Sequence, residues 1–175
     1  MELFNYLTKF EEEFEKDINN QLFKEQIEID ILMSHTTCNI MDLHKELFFS
    51  NRKEISFYNP SENSLIIHVS KNNYKQFYFS YLTLDNNFDE VPTSPLVIKN
   101  HPEQKWIKLA IKSFGPKVRP FLIFYDDKEK LRLQELDRDV TKVVFDSKEK
   151  FCRLTFKVEG HGKAKIENIN ILNAK

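Results

Sequence analysis

Cys152-Arg153-Leu154-Thr155-Phe156-Lys157-Val158-Glu159-Gly160-His161-Gly162-Lys163-Ala164-Lys165-Ile166-Glu167-Asn168-Ile169-Asn170-Ile171 is the stretch that decides the fold class. Cys152, Leu154, Phe156 and Val158 fall on every second position, with Arg153, Thr155 and Lys157 between them. A period of two places alternate side chains on opposite faces of a strand, one turned to a core and one to water. Gly160 and Gly162 bracket His161 and supply the backbone freedom of a turn. Apolar residues then resume at Ala164, Ile166, Ile169 and Ile171. The stretch reads as two strands folded into a terminal hairpin.

The same signature recurs upstream. Val118 to Tyr125 is the most apolar strand, and its Pro120 predicts an edge position or a bulge, because proline cannot donate a ladder hydrogen bond. Asp126 to Glu129 is a turn, and Leu131-Arg132-Leu133 returns from it. Trp106 to Ile111 puts Ile107, Leu109 and Ile111 on one face and Trp106, Lys108 and Lys112 on the other. Phe114-Gly115-Pro116 turns the chain after it. Further short strands are read at Leu47–Phe49, Ile55–Tyr58, Leu65–Val69, Phe77–Leu82 and Val143–Phe145. Asn59 to Asn63 is a turn by composition, and 85–95 is a polar loop with two prolines. Eight to ten short strands without strand–helix alternation predict an antiparallel sandwich of jelly-roll type.

The N-terminal segment follows a different period. Leu3, Leu7, Phe10, Phe14, Ile18 and Leu22 recur at steps of three or four, opposite a face rich in Glu. This predicts one amphipathic helix over residues 1–25, followed by a β-sandwich domain over 26–175. The stripe Leu3, Leu7, Phe10, Phe14 and Ile18 either packs on that domain or docks a partner, a second copy of the chain included. Ile27, Ile29 and Ile31 return to alternation and read as a strand.

Composition narrows the function classes. The 175 residues suffice for one core without staples, and sixteen Phe, six Tyr and one Trp favour strands. Three glycines leave no room for a phosphate-cradling loop. A net charge of −1, from 26 basic and 27 acidic residues, lacks the basic excess of a nucleic-acid binder. No apolar run approaches the ~20 residues of a membrane span. The start lacks a signal-peptide pattern and the two cysteines are far apart, so the expected compartment is cytoplasmic.

Chemistry-bearing patterns are few. No nucleophile elbow, Walker loop, dinucleotide fingerprint or zinc-protease motif occurs, and the expectation is a non-enzyme. His35, Cys38 and His44 fall short of a four-ligand zinc set and read as ordinary loop residues. Asp126-Asp127 sits in a turn that favours Asp for backbone reasons. Trp106, flanked by Lys105 and Lys108 on a polar strand face, either lies half-buried under a loop or stacks on a sugar ring or a partner. Tyr78, Arg119 and Tyr125 are further ligand-binding candidates. No cofactor is expected. Glu167 beside Asn168 is the one candidate for a structural calcium, an isolated pair that is not calcium evidence by itself.

The cadence from Val118 to Leu133, together with the Arg-Leu-x-Phe-x-Val ending and its Gly160/Gly162 turn, resembles carbohydrate-binding-module-like jelly rolls. It is most similar to the sandwich accessory domains attached to cell-wall and teichoic-acid glycosyltransferases of Gram-positive bacteria, and also to sandwich proteins of accessory secretion systems. The resemblance covers about residues 96–172. It implies a non-catalytic module that binds a glycan or glycopolymer, or docks a glycosyltransferase. The N-terminal helix departs from that pattern and keeps a protein-assembly role open. A small hydrolase or isomerase on a sandwich scaffold is the remaining alternative.

Overall fold

Alternating strands that each bury one face must be paired in sheets and closed against one another. In the computed structural model, residues 37–71, 76–83, 87–92, 96–97, 104–137 and 139–173 are described. The helix and its apolar stripe, the boundary after residue 25, the strand at Ile27–Ile31 and His35 lie outside the described residues. Cys38–Asn173 forms a compact unit.

Among the described residues this unit contains two six-stranded antiparallel sheets. The first runs β10 (Val140–Val144), β7 (Gln104–Phe114), β12 (Gly162–Asn173), β4 (Ser64–Val69), β3 (Ile55–Ser61), with β1 (Thr37–Ile40) also beside β12. The second runs β2 (Phe48–Phe49), β5 (Gln76–Tyr81), β11 (Phe151–Glu159), β8 (Lys117–Tyr125), β9 (Lys130–Glu135). The short β6 (Leu96–Val97) pairs with the first two residues of β11. A 3-10 turn, Lys45–Leu47, leads into β2. The mainly-β sandwich read from the alternation is the observed class.

The core lies between the sheets. Ile107, Leu109 and Ile111 of β7 face inward as their period predicts, with Leu65, Ile67 and Val69 from β4 and Ile166 and Ile169 from β12. The second sheet contributes Phe77, Phe79, Leu122, Phe124, Leu154 and Phe156. Phe79 and Phe156 stack with centroids 4.6 Å apart and planes 9° from parallel, and Phe57 of the opposite sheet meets Phe79 edge-on at 5.3 Å.

Three local readings are corrected. First, the C-terminal stretch is not a hairpin: β11 pairs with β5 and β8, and β12 with β4 and β7. Gly160-His161-Gly162 is a corner that carries the chain from one sheet to the other. Gly115-Pro116 does the same between β7 and β8, and the two corners touch. A Cβ on Gly162 would stand 2.7 Å from the Phe114 carbonyl oxygen, and one on Gly115 2.5 Å from that of His161. Gly162 also has φ +123°, a conformation costly for any side chain. Gly162→Ala is expected to lower stability by about 1–3 kcal/mol in urea denaturation.

Second, β8 is an interior strand despite Pro120. A residue's N–H and C=O point to the same side of a strand, and the Pro120 carbonyl accepts from Leu136 N at 2.9 Å on the β9 side. The β8–β9 ladder ends at Phe121 opposite Glu135, so the missing donor falls at the end of the ladder and forfeits only the return bond from Pro120 to Leu136. Third, the turn expected over Asn59–Asn63 is narrower. β3 continues to Ser61 with a register shift after Tyr58, and Pro60 is tolerated because β3 is an edge strand. Asn59 anchors the irregularity, donating to the carbonyls of Leu43 (2.8 Å) and Ser64 (2.9 Å) and accepting from Lys45 N (2.8 Å).

Candidate functional site: the outer face of the second sheet

The residues that alternate with the core positions of β5, β8 and β11 form the outer face of the second sheet. Arg119, Phe121, Ile123 and Tyr125 come from β8, and Arg153, Thr155, Lys157 and Glu159 from β11, in direct register: Tyr125 opposite Phe151, Ile123 opposite Arg153, Phe121 opposite Thr155 and Arg119 opposite Lys157. Tyr78 of β5 stands opposite Lys157 on the other side of β11.

One end of this face is roofed by residues 87–92. The Tyr125 hydroxyl donates to the Phe88 carbonyl at 2.9 Å, and Arg153 Nη1 donates to the Asn87 carbonyl at 3.1 Å. The Arg153 guanidinium also lies 5.3 Å from the Phe88 ring centroid and 5.8 Å from that of Tyr125. Arg153 and Tyr125 are fully buried.

The other end is open. It forms a groove of about 540 Å³ lined by aromatic and aliphatic surface from Tyr78, Phe88, Phe121 and Leu133 and by the charged heads of Arg119 and Lys157, among others. The Tyr78 and Phe88 rings lie 5.7 Å apart, tilted by 57°. Arg119 lies 5.9 Å from the Phe121 ring centroid and pairs with Glu159 at 2.6 Å and Glu135 at 3.8 Å. Lys157 pairs with the same Glu159 oxygen at 3.0 Å, and Lys130 with Asp89. Apolar ring surface beside fixed donors and acceptors is the composition of a site for an amphipathic ligand.

Lys157 and Arg119 hydrogen-bond the Glu159 carboxylate and hold its pKa below the ordinary 4.5. The ionised form is thus favoured by folding. The pairing contributes above the ordinary glutamate range and is lost as pH falls through the lowered value. Lys157→Met and Arg119→Met are each expected to move the Glu159 side-chain titration, followed by carboxyl NMR, back up toward 4.5.

The sequence-derived candidates separate on the structure. Tyr78 and Arg119 both line the groove. Tyr125 is beneath the 87–92 segment, with its hydroxyl engaged. Trp106 lies on the first sheet, half-buried on the outer face of β7, opposite Lys142 and Leu172, with the Lys142 ammonium 5.8 Å from its ring. Glu167 falls at the register shift of β12. Its carboxylate is held by Lys112 (2.9 Å) and Lys165 (3.1 Å), which keep its pKa below the ordinary value. Among the described residues no group of three His, Cys, Asp or Glu could hold a metal ion. His44 is exposed, and the Cys152 thiol is buried and pushed up to about 12 by that burial. Asp126 caps its turn, accepting from Lys128 N and Glu129 N. Among the described residues no helix is long and apolar enough to cross a membrane.

Sequence reasoning missed Phe88, Phe121, Leu133 and Lys157. Parity could have found two of them, since Phe121 shares the face of Arg119, and Lys157 that of Thr155. Phe88 lies in an irregular segment with no period to read.

No protein-family model matches the chain, and no curated protein matches it in sequence. Among solved structures, the Glycosylation Associate Protein (Gap123) complex from Streptococcus agalactiae aligns with TM-score 0.52 at 11% identity, over 78% of this chain and 26% of that one. This chain therefore spans about a quarter of the length of that neighbour. Accessory secretory protein 1, 2 and 3 of Streptococcus pneumoniae aligns with TM-score 0.49 at 13% identity, over 72% and 90% of the two chains. The CBM22-1–GH10 modules of Clostridium thermocellum xylanase 10B, complexed with xylohexaose, align with TM-score 0.48 at 6% identity, over 81% and 29%. At such identities the likeness is one of fold.

Proposed function

We propose that this chain is a non-catalytic accessory module that binds a glycan along the open groove of the second sheet. The observation that carries the reading is the convergence of Tyr78, Phe88 and Phe121 with Arg119 and Lys157 on one open sheet face. A sugar presents apolar C–H faces and a rim of hydroxyls. Rings stack on the first, and fixed charged groups hydrogen-bond the second. The fold likeness to a streptococcal glycosylation-associated complex agrees with an accessory role.

The test is a titration of the labelled chain with glycans, followed by two-dimensional amide NMR. Saturable shifts grouped at Tyr78, Phe121, Leu133 and Thr155 are the expected result. Shifts confined to the Trp106 face, or none with any glycan, would overturn the assignment of the groove. A second reading is docking to a protein such as a glycosyltransferase. It is favoured by the Gap123 neighbour, which is itself a complex. On that reading the groove residues shift with the partner and not with sugars.

A further inference from the structure

We infer that the groove selects an uncharged glycan and rejects an anionic glycopolymer, an inference that rests on the glycan-binding reading above. The groove carries three cationic side chains, and each is already held by a carboxylate. Arg119 is clamped between Glu159 (2.6 Å) and Glu135 (3.8 Å), Lys157 shares Glu159 (3.0 Å), and Lys130 is held by Asp89. Three cations against three carboxylates leave no formal charge in this set.

Within each pair the acid is also the more accessible member: Asp89 is 83% exposed against 38% for Lys130, Glu135 50% against 27% for Arg119, and Glu159 32% against 17% for Lys157. A phosphate or uronate approaching the groove meets carboxylates first. It gains a cation only by displacing one, and like charges brought together in a partly desolvated groove repel. A hydroxyl is in the opposite position. It donates and accepts at once, so it can bridge the two members of an ion pair, donating to Glu159 or Glu135 and accepting from Arg119 or Lys157. Paired charges beside aromatic rings therefore match a neutral, hydroxyl-rich chain.

The experiment compares affinities of the full chain for two sets of probes by calorimetry at fixed ionic strength. The neutral set is hexasaccharides of glucose, xylose, mannose and N-acetylglucosamine. The anionic set is a galacturonic acid hexasaccharide and a ribitol phosphate oligomer. The expected result is binding of at least one neutral probe at least tenfold tighter than either anionic one. A variant carrying Glu135→Gln and Glu159→Gln frees Arg119 and Lys157. It is expected to bind the anionic probes about tenfold tighter than the parent does, with a gain that fades in salt. Both positions are solvent-accessible, and a single cooperative thermal transition establishes that the variant folds. Anionic probes binding the parent as tightly as neutral ones, or no gain in the folded variant, would overturn the selectivity while leaving glycan binding intact. If no probe of either kind binds, the glycan reading and this inference fall together.

Discussion

Replacing Phe156 with alanine is expected to lower stability by about 3–5 kcal/mol. Phe156 has no exposed surface. Its ring stacks on Phe79 and lies 6.4 Å from Phe48, so deletion removes burial and leaves a cavity that rigid neighbours on two strands cannot fill. For a chain of this size the loss corresponds to a fall of about 10 °C in melting temperature. Phe156→Leu, which keeps most of the volume, is expected to lose less than half as much. Thermal and urea denaturation measure both, and a loss under about 1 kcal/mol for the alanine variant would show that the stack does not organise the core. The effect also bears on the groove, because Phe156 sits between Thr155 and Lys157 on β11. The core side of that strand positions the binding side.

Replacing Tyr78 with alanine is expected to weaken glycan binding about tenfold while leaving stability within about 0.5 kcal/mol of the parent. Tyr78 is 37% exposed and lies outside the core cluster, so no core contact is lost on truncation. What disappears is the ring surface beside Phe88, on which a sugar face would lie. Trp106→Ala, on the opposite sheet, is the matched control and is expected to leave affinity unchanged. Calorimetry with the tightest-binding neutral hexasaccharide distinguishes the two. An equal loss at both positions, or a loss only at Trp106, would move the site to the first sheet.

The Tyr78 and Trp106 pair shows how far the sequence reaches. Its only Trp, flanked by lysines on a polar strand face, has a stronger local signature for stacking than Tyr78. Nothing in its neighbourhood along the chain tells that β7 and β5 belong to different sheets. Likewise Arg153 alternates with core residues and reads as a wet position, yet it is buried. The 87–92 segment, which is remote in sequence, lies over it and over Tyr125. Leu133 and Lys157 line one groove only because β9 and β11 flank β8 on either side.

Period-two alternation, turn spacing and aromatic content were enough to set the class: a mainly-β sandwich with Ile107, Leu109, Ile111, Leu154 and Phe156 facing inward. Facing is a local property, because consecutive side chains must point to opposite sides of a strand. Pairing is not local. Gly160-His161-Gly162 marks a turn in either case, but whether β11 and β12 hydrogen-bond to each other or to strands in separate sheets depends on the second corner at Gly115. The same holds for Pro120, whose missing donor is tolerated in an interior strand because it falls where the β9 ladder ends. The groove arises at this level, from four strands and one loop brought together by pairing across long sequence separations, where alternation along any one of them carries no information about its neighbours.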